Sequence, residues 1–250
     1  MERLTAALGA MAPLALAALV LWVLGMVSVP IIAWLRGERG RHVGVVLGVL
    51  LQATTVLILL GGVWPTGRLG SAVIGVCGLA WLAEFVGSHT GIPFGRYRYT
   101  DRLRPQIGKV PVLIPCAWLM MLPPAWAVAA AVAPGAPRAV HAGLAALAFT
   151  VWDLFLDPQM VAWGYWVWEP RAGRRTYYGI PWTNYAGWIL MSALITWLVG
   201  PAGLPVRPLV LVYSVTWALQ AFGQGLFWGL PGPAIVGGLA MGVMVALAWR

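Results

Sequence analysis

The chain reads as long apolar runs separated by short polar loops. Stretches without a charged residue extend from Leu4 to Leu35, Val43 to Gly67, Leu69 to Ala83, Val110 to Pro137, Thr176 to Val206 and Pro208 to Trp249. A helix needs about 20 apolar residues to cross the hydrocarbon of a bilayer. The runs therefore predict spans over 10–34, 43–63, 69–88, 111–133, 139–162, 182–199, 206–227 and 233–249. The final stretch is broken at Leu230-Pro231-Gly232-Pro233 and its last piece is short, so the pattern admits seven spans or eight. The expected fold is all-α: one integral membrane domain over residues 1–250, a polytopic helical bundle. Gly91, Pro93 and Gly95 predict a folded or re-entrant loop after the third span.

Composition agrees. The chain is 61% hydrophobic and only 9% charged, with a mean hydropathy of +0.83, whereas a soluble domain carries about 25% charged residues. The net charge of +9 does not point to nucleic acid, because the bases sort by side. Loops 1–2, 3–4 and 5–6 hold Arg36, Arg39, Arg41, Arg96, Arg98, Arg102, Arg104, Lys109, Arg171, Arg174 and Arg175. The other side holds Arg3, Arg68, Arg138, Arg207 and Arg250. Eleven bases against five put the basic loops in the cytoplasm, and the N-terminus outside the cell membrane. Contact with anionic lipid is the plain use of these arginines. The first apolar stretch is too long for a signal-peptide core and only Arg3 precedes it, so an uncleaved first span is expected. Cys77 and Cys116 fall in different spans, which argues against a disulfide framework, and no Cys/His cluster suggests a metal.

Two of the seven acids, Asp153 and Asp157, lie inside the fifth span. Four residues apart, they share one helix face, with carboxyls about 6 Å apart. A charged aspartate near the bilayer centre costs about 2.5–3.5 kcal/mol. Glu84, one turn from the cytoplasmic end of span 3, and Asn184, in the first turn of span 6, fall at the same predicted depth. Residues at one depth can converge on one cavity. The bland alternative is that the acids brace the bundle through hydrogen bonds, each worth about 1–2 kcal/mol at best. His89 follows Glu84 by five residues and is a candidate partner for it, against the simpler reading of an interfacial polar residue. Trp152, Trp163, Trp166 and Trp168 crowd the aspartates. They serve either as packing or as a slot for a flat lipid, with rings able to stabilise a cation. Gly-Ile-Pro occurs at 91–93 and again at 179–181, a faint echo of repetition.

The chemistry narrows by elimination. No phosphate-binding glycine motif is present, three scattered histidines cannot build a di-iron centre, and the only lysine, Lys109, lies in a loop, out of reach of an intramembrane Schiff base. Proton chemistry on a membrane-dissolved substrate remains, without a cofactor: a carboxylic acid protonates an alkene, and aromatic walls and a carboxylate stabilise the cation.

The segment AEFVGSHTGIPFGRYRYTDRL, followed by Val110-Pro111 and Pro115-Cys116-Ala117-Trp118, resembles the membrane family of carotenoid hydratases. So does WDLFLDPQMVAWGYWVWE, followed by Tyr178-Gly179-Ile180-Pro181 and Asn184-Tyr185-Ala186-Gly187-Trp188. The resemblance covers about residues 80–190; the ends match only as generic spans. It implies cofactor-independent addition of water across the terminal 1,2 double bond of an acyclic carotenoid end, giving a tertiary alcohol. The substrate would be a lycopene-like, γ-carotene-like or C50 skeleton in the bilayer. Asp153 and Asp157 are then expected to act as a coupled acid. Glu84 is expected to orient or deprotonate water, with the acid and base roles open to exchange. Asn184 and His89 are the expected hydrogen-bond partners, and Trp152, Tyr97, Tyr178 and Trp188 the expected substrate wall. Other classes stay open at this stage: a carotenoid- or lipid-binding protein without turnover, a proton-coupled transporter, and a cyclase or isomerase using the same acids.

Overall fold

A computed structural model describes residues 2–169 and 175–250. A short helix α1 (Glu2–Gly9) precedes α2 (Pro13–Gly61), α3 (Thr66–Thr90), α4 (Leu113–Val132), α5 (Arg138–Ala162), α6 (Trp182–Val199), α7 (Val206–Phe222) and α8 (Pro231–Ala248). Six of these helices are long and apolar enough to cross a membrane; α6, whose first turn carries Thr183, Asn184 and Tyr185, is not among them. The chain is an all-α polytopic membrane protein.

The 49 residues of α2 would reach more than twice the thickness of a bilayer if straight. They fold in two at Gly37, whose backbone (φ 57°, ψ −133°) is left-handed. The halves close along a seam of glycines four apart. A Cβ on Gly44 would lie 2.5 Å from Val29, and one on Gly48 would lie 2.8 Å from Met26. Lipid gives helices no hydrophobic reason to associate, so small residues that let backbones approach supply the contact.

Helix α4 is apolar all round and lies at the centre, packed against α2, α3, α5, α7 and α8, with every residue from Trp118 to Ala129 buried. A helix without a polar face belongs inside. Its prolines free carbonyls that must find other donors. Pro124 cannot donate to Met120, and the Met120 carbonyl accepts the Gln52 amide from α2 at 3.3 Å. In α5, Pro158 likewise frees the Leu154 carbonyl, which accepts the Tyr177 hydroxyl at 3.4 Å.

The loops after α3 and α5 fold into matching units. Strand β1 (Tyr97–Tyr99) pairs antiparallel with β4 (Trp166–Trp168), Tyr97 opposite Trp168 and Tyr99 opposite Trp166. Each strand leads to a tight hairpin, β2 (Gln106–Ile107) with β3 (Val110–Pro111) and β5 (Thr176–Tyr177) with β6 (Ile180–Pro181), and each hairpin feeds directly into a helix. Both turns have two left-handed residues, Gly108-Lys109 and Tyr178-Gly179, the backbone that a two-residue hairpin requires. The correspondence is Gly108 to Tyr178, Pro111 to Pro181 and Trp118 to Trp188. The echo between 91–93 and 179–181 is therefore corrected: the first Gly-Ile-Pro begins at Gly91, the C-cap of α3, while the second lies in a hairpin. Repetition is present, but its partner for 178–181 is 108–111.

The loops also sort by end. Glu38, just past the Gly37 break, pairs with Arg102 (3.2 Å), and Arg102 donates to the Trp163 carbonyl. At the opposite end the Trp64 indole donates to Ala202 and Gly203, and Arg138 donates to the Trp197 carbonyl. The arginine-rich loops thus meet at one end. Arg171 and Arg174 lie outside the described residues.

Candidate active site

The ribbon β1–β4 turns alternate side chains to opposite faces. Arg98 and Val167 are exposed; Tyr97, Trp166 and Trp168 are buried and Tyr99 is half-buried beneath them. These four rings roof a chamber whose floor is α3, α4, α5 and α6. Phe94 fixes the approach of the loop. It is 1% exposed and wedged between two helix faces kept bare by glycine. A Cβ on Gly87 would lie 2.5 Å from its ring, and one on Gly187 2.7 Å away.

Glu84, Asp157 and Asn184 line this chamber together, with Phe94, Tyr97, Tyr99, Trp118, Trp166, Trp168 and Trp188. Its volume is about 30 Å³, room for about two water molecules. Glu84 accepts hydrogen bonds from the Tyr97 hydroxyl (2.5 Å) and the Tyr99 hydroxyl (2.7 Å) on one oxygen, and from the Trp118 indole (3.3 Å) on the other. Burial, then the neighbouring Glu84, pushes both phenols well above the usual tyrosine range, so they stay O–H donors. Asp157 accepts from the Trp166 indole at 2.7 Å. The Asn184 amide donates to Asp153 at 2.8 Å and to Asp157 at 2.5 Å. One side-chain nitrogen therefore holds both carboxyls. Asp153 is 0% exposed and, among the described residues, its other oxygen has no hydrogen-bond partner.

Each acid is held by its own repeat unit. Glu84 of α3 is bound from β1 and α4; Asp157 of α5 is bound from β4 and α6. Antiparallel pairing of the two strands brings the units face to face and aims both acids into one space. Beside the chamber the indoles of Trp118 and Trp188 stack at 5.1 Å, and Phe149 stacks on Trp188 at 5.0 Å. Such faces attract a cation.

Of the residues singled out from the sequence, Glu84, Asp157, Asn184, Tyr97 and Trp188 meet here. Asp153 stands behind Asp157, joined through Asn184. Trp152 packs on Trp188 but faces a different, larger cavity. Two expectations are corrected. His89 is exposed, and its ring nitrogen bonds to the Phe85 carbonyl at 2.7 Å, one helical turn back, rather than to Glu84. Tyr178 is 51% exposed in the β5–β6 turn, against Gly232. Trp166 and Trp168, expected from the sequence as packing or as a slot for a flat lipid, line the chamber, and Tyr99, Trp118 and Phe94 join them although the sequence reading gives them no site role. The alternation Tyr-Arg-Tyr and Trp-Val-Trp is the sequence signal for the four roof rings, Tyr97, Tyr99, Trp166 and Trp168, once the two strands are read as partners. Among the described residues no group of three or more His, Cys, Asp or Glu side chains could hold a metal ion.

A family model described as carotenoid biosynthesis protein matches residues 43–244. Over 143 residues the chain is 32% identical to a protein from Haloarcula japonica named bisanhydrobacterioruberin hydratase; the match covers 55% of this chain and 47% of that one. The chain thus spans about half the length of this curated relative. No solved structure matches.

Proposed function

The chain belongs to the family of carotenoid biosynthesis proteins, and from that premise we propose that it adds water across the terminal C1–C2 (or C1′–C2′) double bond of an acyclic carotenoid end. The observation that carries the reading is the convergence of two carboxyl groups from matching units on an aromatic chamber sized for water. The name of the Haloarcula japonica relative, a hydratase, supports it.

The Asp153 and Asp157 carboxyls, bridged by the Asn184 amide that donates to both, share one proton, and Asp157, the member on the chamber, delivers it from its carboxyl oxygen. The O–H bond of the acid breaks, the alkene π pair forms a C–H bond at C2, and C1 becomes a tertiary cation beside the Trp118 and Trp188 faces. A water lone pair forms the C1–O bond. The water loses a proton to Glu84, whose carboxylate is oriented by Tyr97 and Tyr99. That proton returns through chamber water to the aspartate pair, so atoms and charge balance without an oxidant or reductant. The arginine-rich end of the bundle faces the cytoplasm, which puts the chamber in the cytoplasmic half.

The test is mass analysis of pigments from a host making an acyclic carotenoid, with and without this gene. A gain of one water, with the oxygen derived from labelled solvent, is expected. An isomer of unchanged mass would instead mean a cyclase or isomerase, and unchanged pigment a binding protein.

A further inference from the structure

A chamber with room for two waters cannot contain a carotenoid, so the rest of the substrate must lie elsewhere. The second cavity bordering this site is a cleft of about 570 Å³, within the range of pockets for whole ligands. It runs between the folded α2 helix and α7, and it ends at the π-helical turn Gly223–Phe227. A wide turn of this kind often marks a functional site. Leu156, the residue before Asp157, lines both the cleft and the chamber.

The walls suit a hydrocarbon. They are mostly aliphatic and aromatic, and the side chains of Gln52, Thr216, Gln159 and Gln220 are tied to protein partners, while the buried Trp152 indole N–H has none among the described residues. The Gln52 amide donates to Thr216 and to the Met120 carbonyl, and Gln159 and Gln220 both accept from Gln224. The rim carries Val27, Ile31, Phe222 and Phe227, all exposed. Exposed apolar side chains on a membrane bundle face lipid, so the cleft opens sideways toward the bilayer.

We propose that this cleft holds the polyene chain of the substrate, admitted from the lipid, and that Leu156 is the partition past which the end group reaches Asp157. The assignment rests on the hydratase reading for the identity of its occupant.

The test uses the full-length protein purified from a host that makes an acyclic carotenoid. Bound pigment per protein and hydrated product are measured separately. Ala218→Trp and Val45→Trp fill the cleft without touching the chamber and are expected to lower bound pigment at least tenfold. Ile74→Trp, on the exposed face of α3, is the control and is expected to leave it unchanged. Leu156→Trp is expected to keep pigment but lose product at least tenfold. Full pigment in folded Ala218→Trp and Val45→Trp proteins overturns the assignment, as does a wild-type protein that binds none. If pigment follows the cleft variants but the wild-type protein makes no hydrated product, the cleft stands and the hydratase reading falls.

Discussion

Replacing Asn184 with leucine removes one amide group and keeps the branched shape of the side chain, with slightly bulkier methyl groups in place of its oxygen and nitrogen. In the native protein that amide donates to Asp153 and to Asp157, at 2.8 and 2.5 Å. Asp157 keeps a second donor in the Trp166 indole, whereas the other oxygen of Asp153 has none among the described residues. A hydrogen bond to a charged group is worth about 1.5–3 kcal/mol. If both bonds matter more in the transition state than before it, the loss is about 3–6 kcal/mol, a hundredfold to ten-thousandfold in rate. The assay is conversion of an acyclic carotenoid in membranes, normalised to folded protein measured by size exclusion in detergent. Trp166→Phe is the partner variant: it removes one donor from Asp157 alone and is expected to cost about tenfold to a hundredfold. The double variant is expected to lose less than the product of the two, since both act on one network. Asn184→Leu protein that folds and converts within twofold of wild type would refute the claim that this amide governs the carboxyl pair.

Glu84→Gln keeps the shape of the site and is expected to fold normally while abolishing product, read by pigment mass. Tyr97→Phe and Tyr99→Phe each remove one donor to the Glu84 carboxylate and are expected to cost about tenfold to a hundredfold, from about 1.5–3 kcal/mol per bond to a charged group. Gly187→Val is expected to abolish conversion, because its Cβ would meet the Phe94 ring at 2.7 Å and push it toward the chamber; limited proteolysis will show the bundle intact. His89→Ala is expected to leave conversion within twofold, since the ring is exposed and bonded to its own helix.

The arithmetic of membrane insertion acts on short stretches of chain, which is why so much was legible in order. Apolar runs separated by basic loops specify a polytopic bundle, because backbone groups in lipid must be satisfied within a helix. Acids buried in such runs announce themselves by their cost, and Glu84, Asp157 and Asn184 do share one chamber. Position along a span also gave their common depth.

Tertiary structure decided what depth cannot: which side chains at one level face each other. The pairing of Tyr97 with Trp168 and Tyr99 with Trp166 joins loops 69 residues apart, and three-residue strands carry too little pattern to choose a partner. That pairing separates Tyr97 and Tyr99, which bind Glu84, from Tyr178, which an equally aromatic loop turns outward. It also separates Asp157, on the chamber, from Asp153 behind it, although both lie on one helix face. Insertion cost and helical period are properties of a local segment and so belong to the sequence. A cavity is the space left between segments, and only their packing creates it.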